Sequence, residues 1–292
     1  MKEFSSDRKT KLSQFLLAEY DGALSFANLN KLFRKKDVKV NGKRVSKDCA
    51  IEKGDVITVY FDGSKPEIKF DTLYSDDNIL VAVKPKGVTS EDFFKTVQNE
   101  CGKTFFCHRL DRNTDGVMIF ARNENAYSEI LEGFKKRTFK KFYHAVVFGI
   151  FRDKSGIFSD YLIKDADEKT VRIINKRTEN SKPVKTGYTV VMENERLSAS
   201  LLSVELFTGR THQIRAHLAS KGHFVLGDGK YGKQKVNDSL KIKDMLLSSY
   251  RLTICFNRSS KLFYLNGKTF EFGDSSYDFA LSHGFKSIEN LL

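Results

Sequence analysis

At 292 residues with 40% hydrophobic side chains, the chain can bury more than one core, and its formal net charge of +13 suits a polyanionic partner. No apolar run approaches a membrane span, the opening MKEFSSDRKTK lacks the apolar segment of a secretory signal, and Cys49, Cys101, Cys107 and Cys255 form neither a CxxC pair nor a zinc-type Cys/His pattern. The expectation is a cytoplasmic protein with reduced thiols, no metal and no membrane association.

In chain order, Leu12, Phe15, Leu16 and Leu17 open a helical pattern, and Ser25 is placed to cap a second helix carrying Leu29, Leu32 and Phe33. Val38, Val40 and Val45 flank an Asn41-Gly42 turn, a strong hairpin signal; Ile51, Val56, Ile57 and Val59 follow, with Gly54-Asp55 as another turn. Arg34, Lys35, Lys36, Lys39, Lys43, Arg44 and Lys47 crowd this region, opposed only by Asp37. Asp62-Gly63-Ser64-Lys65-Pro66 reads as a linker.

The most informative segment is HRLDRNTDGVMIFAR, from His108 to Arg122. Asp111 sits between two arginines, ahead of a Thr-Asp-Gly turn that opens into the apolar strand Val117 to Ala121. Desolvation raises a carboxylate's pKa and neighbouring arginines lower it, so a carboxylate held this way can serve as a nucleophile at neutral pH. Taken alone, the pattern fits a loop aspartate in a surface salt bridge equally well. Asn123 is placed to cap a helix through Tyr127, Ile130, Leu131 and Phe134. Lys135, Lys136, Arg137, Lys140 and Lys141 then crowd the junction with a strand in which Tyr143, Ala145 and Val147 alternate with Phe142, His144 and Val146. By periodicity alone Tyr143 is an ordinary core tyrosine.

A hundred residues on, Leu202, Val204 and Leu206 alternate with Ser203 and Glu205 as a strand with one buried face. Thr208-Gly209 makes a turn, and Thr211 is a plausible N-cap for a short helix with Ile214, His217 and Leu218 on its inner side and Gly222 as its stop. Arg210 lies at the helix entrance and Arg215 one turn further in. Free N–H groups at a helix start, joined by an arginine, favour a phosphate or carboxylate. Gly222 and Gly227 have phosphate-loop spacing, but Asp228 follows where lysine would be needed, so nucleotide binding is not indicated.

HRLDRNTDG resembles the catalytic motif of the RluA family of pseudouridine synthases, and TGRTHQIRAHL…GHFVLGD..YG resembles its second signature. YSDDNILVAVKPKGV (Tyr74 to Val88) and KKFYHAVVFG (Lys140 to Gly149) match the same family in order, so the similarity covers roughly residues 70 to 270. One departure is Asp115, which stands where the family usually has serine or another small residue. It adds a negative charge near Asp111, tempered if the side chain is solvated.

The resemblance implies a cofactor-independent RNA pseudouridine synthase. A glycosidase typically needs two carboxylates, one of them positioning water. An isomerase needs one and excludes water, because the detached base must rejoin the same sugar. By resemblance Asp111 is the nucleophile, Arg215 its ionic partner, and Tyr143 the ring set against a flipped uracil, as RNA enzymes hold extracted bases on aromatic faces. Whether Asp111 attacks sugar or base, or removes a sugar proton, stays open. His108, Arg109, Arg112, Thr114, Gly116, Arg210, His212 and Gln213 are the expected substrate-binding residues. Residues 11–62 resemble, with moderate specificity, the small RNA-binding domain shared with a small-subunit ribosomal protein, with Arg34, Lys35, Lys36, Lys39, Lys43 and Arg44 as its RNA contacts. With no tryptophan in the chain, base stacking falls to tyrosine, phenylalanine, histidine or arginine.

The expected architecture is α+β: an RNA-binding domain over 11–62, a linker over 63–72, and a catalytic domain over 73–292 with a mixed, largely antiparallel sheet flanked by helices. The expected partner is RNA, ribosomal RNA of the large subunit foremost, bound by a monomer. Transfer RNA is the rival substrate, and a non-catalytic RNA-binding or ribosome-assembly factor the rival function.

Overall fold

The computed structural model describes residues 1–20, 24, 26–61, 67–165 and 170–288. Ser25 and the segment 62–66, read above as a helix cap and a linker, lie outside these described residues. The backbone divides into two units, Met1–Glu67 and Ile68–Leu292.

In the first unit the helical pattern becomes Leu12–Glu19, which buries Leu12, Phe15 and Leu16. A second helix, Phe26–Lys35, buries Leu29, Leu32 and Phe33. The hairpin forms between Val38–Val40 and Lys43–Val45, with Asn41 at φ 49 and Gly42 at φ 77. Two successive positive φ values are the twist a two-residue hairpin turn requires, and Asn-Gly adopts them at little cost. Val56–Val59 pairs with Val38–Val40 on one edge and with Lys2–Ser5 on the other. That amino-terminal strand, KEFS, has too little alternation to read from sequence; Phe4 alone packs on the core.

The second unit is built on one large sheet. Its strands run in the order Thr170–Ile174, Ser155–Asp165, Lys182–Asn194, Ala199–Leu206, Lys140–Phe148, Leu247–Thr253, Asp115–Ala121, Ile79–Lys84 and Thr72–Ser75. Neighbours along this path are antiparallel except Asp115–Ala121 beside Leu247–Thr253, which are parallel. The fold is α+β, with a mixed, largely antiparallel sheet flanked by helices.

Both faces of the central strands are covered, which is why all seven residues of Asp115–Ala121 are buried. Met118, Phe120, Tyr143, Ala145, Val147, Leu202 and Val204 form one core with Phe93 and Val97 of the helix Ser90–Cys101 and with Ile214 and Leu218 of the helix Gln213–Ser220. Val117 and Ile119 point the other way, onto Ala126 and Ile130 of the helix Glu124–Lys136, whose first turn is capped by the Asn123 side chain accepting from the Ala126 N–H at 2.9 Å. Each such aliphatic side chain is worth roughly 1.5–3 kcal/mol when withdrawn from water. The alternation expected around Tyr143 holds: Tyr143, Ala145 and Val147 share one core, while Val146 joins Leu201, Leu226 and Ala280 behind the sheet.

Candidate active site

Two strands aim the site. Asp115–Ala121 follows the HRLDRNT turn, and Lys140–Phe148 carries Tyr143; Leu247–Thr253 lies between them. At Gly116 (φ 136) a Cβ would stand 2.3 Å from the carbonyl oxygen of Ser249, so the two strands approach this closely only because the residue is glycine. Opposite Tyr143 the central strand Leu247–Thr253 carries an extra residue: Phe142 pairs with Arg251 and His144 with Ser248, so Ser249 and Tyr250 together face Tyr143.

The turn bearing Asp111 is held from below. Thr114 N–H donates to the Asp111 carbonyl at 3.1 Å. Buried Ser90 takes the Leu110 N–H on Oγ and donates back to the Leu110 carbonyl, both at 2.9 Å. Fully buried Lys84 donates from Nζ to the carbonyls of Pro85, Val88 and Arg112 at 2.8, 2.9 and 3.3 Å. Burial pushes its ammonium down to about 8, with Asp115 and Asp111 working the other way.

The arginines flanking Asp111 in sequence turn elsewhere. Arg109 reaches Glu91 at 3.4 Å, and Arg112 Nε donates to the Gly87 carbonyl at 2.8 Å. The partner of Asp111 is Arg215, whose Nη1 donates to Oδ2 at 2.9 Å. Arg215 is itself clamped by Asp228, with Nε and Nη2 donating to its two carboxylate oxygens at 2.7 and 2.8 Å. Burial alone would lower the Arg215 pKa and raise that of Asp228. The ion pairs outweigh burial in both, holding the guanidinium above and the Asp228 carboxyl below their usual values, with the N–H groups of Lys230 and Tyr231 adding to the latter.

The short helix begins later than read from sequence. Thr211 is exposed and caps nothing; His212, in the left-handed conformation at φ 52, precedes Gln213–Ser220 and offers no side-chain cap. Gly222 does end the helix, with its N–H and that of His223 returning to the carbonyls of Ala219 and Leu218, both at 3.0 Å. His212 bonds through Nδ1 to the Tyr231 hydroxyl at 2.9 Å, and its Nε2 stands 4.0 Å from Asp111 Oδ2. Burial first, then Arg215 and Lys230, lower the imidazole from its usual value against the pull of Asp111 and Asp228. Gln213 is buried and braces the turn before it, accepting from Thr208 Oγ1 at 2.8 Å and from the Arg210 N–H at 3.2 Å while donating to Lys185 and Thr186.

These groups line a cavity of about 1030 Å³ that brings together His108, Arg109, Asp111, Arg112, Thr114, Tyr143, Arg210, His212, Gln213 and Arg215. Gly116 is not in its lining but behind it in the strand. Asp111 is the sole carboxylate of that lining among the described residues, which also includes Arg109, Arg112, Lys135, Arg137, Lys141, Arg210, Arg215 and Lys230. Tyr143 is 7% exposed, and burial pushes its phenol up to about 12, with Ser249 opposing and Asp111 adding. His108 accepts the Ile119 N–H on Nε2 at 3.0 Å and packs on Phe134; burial and Lys141 push it down to about 3.

Asp115 is buried rather than solvated. Ser275 donates to Oδ2 at 2.9 Å, and Lys86 Nζ stands 3.7 Å from Oδ1, which has no hydrogen-bond partner among the described residues. The expected RNA contacts of the first unit gather where Phe26–Lys35 meets the hairpin: Arg34, Lys35, Lys36, Lys43 and Arg44 are exposed and Lys39 half-buried, with Lys39 and Arg44 over the Tyr60 ring at 5.3 and 5.7 Å. Sequence reading assigned no role to Asp228, Tyr231, Lys84, Ser90 or Tyr60. The first three lie inside quoted motifs, so their motif positions were the available signal.

Residues 78–220 match the sequence model of the RNA pseudouridylate synthase family. An RNA pseudouridine synthase of Bacillus subtilis, itself uncharacterised, is 31% identical over 67% of this chain and 70% of its own length. The chain belongs to the RNA pseudouridylate synthase family. The ribosomal large subunit pseudouridine synthase C of Vibrio vulnificus is 28% identical over 70% of this chain and 71% of its own. The structure of human RNA pseudouridylate synthase domain containing 1 shares the fold, with TM-score 0.59 and 22% identity over 77% of this chain and 99% of that one. As a pseudouridylate synthase the protein is an isomerase acting on RNA. No described helix of this synthase is long and apolar enough to cross a membrane, and no three His, Cys, Asp or Glu among the described residues are grouped to hold a metal ion.

Proposed function

We propose that this synthase isomerises specific uridines in structured RNA, with Asp111 as the nucleophile, Arg215 as its orienting cation and Tyr143 as the face for the extracted uracil. The observation that carries the assignment is the pairing of Arg215 with Asp111, the sole carboxylate among the described residues of a strongly cationic cleft. One carboxylate matches the chemistry. The N1–C1′ bond breaks, the base turns, the C5–C1′ bond forms, and the proton on C5 is lost as one is gained at N1. A second carboxylate positioning water would favour hydrolysis instead.

We assign the substrate as large-subunit ribosomal RNA, recognised by a monomeric cytoplasmic enzyme whose first unit supplies affinity through its exposed basic run. The name of the Vibrio vulnificus relative and the cations around Tyr60 support this reading. His108, Arg109, Arg112, Thr114, Gly116, Arg210, His212 and Gln213 serve substrate binding, His108, Gly116 and Gln213 by holding the cleft walls in place.

The test is pseudouridine mapping of total RNA from cells with the gene, without it, and with Asp111→Asn in its place. Loss of one or a few large-subunit positions in the last two is the expected result. Loss confined to transfer RNA would overturn the substrate, and an unchanged map would overturn the catalytic reading.

A further inference from the structure

Lys141 lies two residues before Tyr143 on the same strand, so the two side chains leave it on the same face, and both line the cleft. Its Nζ sits 3.1 Å from where a Cβ on Gly209 would stand and 5.8 Å from the centre of the Phe134 ring. Gly209 has no positive φ, so its backbone does not ask for glycine; the absent side chain leaves room for the ammonium. Among the described residues Lys141 has no ion pair or hydrogen bond within the chain. Burial, with Arg137 beside it, lowers its pKa, and no carboxylate offsets this. The other buried cations of the site are compensated: Arg215 by two carboxylates, Lys84 by three carbonyls. Next along the chain, Arg210 keeps its Nε buried without a hydrogen-bond partner. A partly desolvated cation without an anion is unfavourable until one arrives.

We propose that Lys141 and Arg210, with Gly209 between them as the open floor, seat one phosphodiester group adjoining the target uridine and thereby set how far the flipped base enters toward Asp111. The ammonium supplies three donors and the guanidinium a planar fork of N–H groups, which suits the two non-bridging oxygens of a phosphodiester. Seating the backbone beside Tyr143 links the grip on the strand to the placement of the base. Lys141 is a positioning residue here, and the proposal rests on the pseudouridine synthase reading of the same cleft.

The experiment uses the full chain and a nine-nucleotide RNA with one central uridine. Two derivatives carry a single uncharged methylphosphonate linkage, either 5′ or 3′ of that uridine. Affinity and single-turnover pseudouridine formation are measured for wild type, Lys141→Gln and Gly209→Ala. For wild type, one derivative binds about tenfold more weakly than the parent, the scale of one charge-assisted contact. Lys141→Gln binds the parent RNA more weakly and loses less on that derivative than wild type does, since only Arg210 still holds the phosphate. Gly209→Ala, which crowds Nζ, shows a smaller loss at the same linkage. Without RNA, Lys141→Gln melts no lower than wild type, because it removes a partly desolvated cation that has no ion pair or hydrogen bond within the chain. Additive losses at both linkages, wild-type affinity in Lys141→Gln, or a lowered melting temperature accounting for the loss would overturn the proposal. Absence of pseudouridine with wild type would overturn the functional reading instead, since the coupling is read from affinity alone.

Discussion

Asp228 grips Arg215 by both carboxylate oxygens, at 2.7 and 2.8 Å, and so leaves Nη1 of the guanidinium for Asp111. Asp228 is 1% exposed and Arg215 8%. The pair is a fixed part of the core, and Asp111, more open to the cleft, is the free end of the triad. Arg215 is therefore oriented before any substrate arrives.

Replacing Asp111 by asparagine keeps the shape of the side chain but leaves a poor nucleophile. Asp111→Asn is expected to abolish pseudouridine formation while RNA binding survives, because Asp228 still holds Arg215. Tritium release from RNA labelled at uracil C5 measures the rate, and activity within about tenfold of wild type would remove Asp111 from the nucleophile role.

The buried pair predicts a pH signature in stability. Folded Asp228 lies below the usual carboxylate value, so its contribution is complete above about pH 4 and is lost as pH falls through the lower folded value. In Arg215→Met the ion pair is gone and burial, the largest influence on Asp228, is opposed only by the Lys230 and Tyr231 N–H groups, so the carboxyl is expected to rise and the sign to reverse: stability falls as pH rises. The variant should be weaker by about 3–5 kcal/mol at pH 7 and recover part of that at pH 5. Urea unfolding of both proteins at the two pH values checks it, and a difference that does not change with pH contradicts the account.

Tyr143 separates turnover from binding. Stacking one base is worth ~1–3 kcal/mol, small beside the many phosphate contacts of a whole RNA, so Tyr143→Leu should slow single-turnover isomerisation about tenfold or more while total RNA affinity changes little. Its phenol, pushed up to about 12, stays protonated across the working range. Tyr143→Phe should therefore keep the shape of the pH–rate profile between pH 6 and 9. A profile that loses a limb in the phenylalanine variant would give the hydroxyl a proton-transfer role that stacking does not predict.

The first unit has its own core, built on Leu12, Leu16, Leu29 and Ile57, and the triad lies wholly in the second. A chain beginning at Ile68 should isomerise a short, concentrated RNA at close to the full saturated rate yet bind long RNA more weakly. Each lost phosphate contact flattens the salt dependence by a slope of roughly 0.7 to 0.9. Alanine at Arg34, Lys35, Lys36 and Lys39 should reproduce part of that loss. Titrations at several salt concentrations beside single-turnover rates test the division; intact binding with a lost saturated rate would reverse it.

What the sequence by itself determined was local. The Asn41-Gly42 hairpin, the Asn123 cap, the Tyr143 strand and the Gly222 helix stop each rest on residues a few positions apart, whose backbone geometry and period are set by near neighbours. The motif resemblance also placed Arg215 with Asp111, across 104 residues of chain. Tertiary structure decided which charges meet. Arg109 and Arg112, within two residues of Asp111 in sequence, turn to Glu91 and Gly87, and Asp228 is the clamp that sequence proximity did not reveal. It also buried Asp115 against Lys86 and Ser275, and replaced the expected Thr211 cap with a left-handed His212. The physical reason is range. Capping and periodicity act over one turn or one pleat, whereas a charge finds its partner only where the strand order brings distant segments together and burial makes an unpaired ion costly.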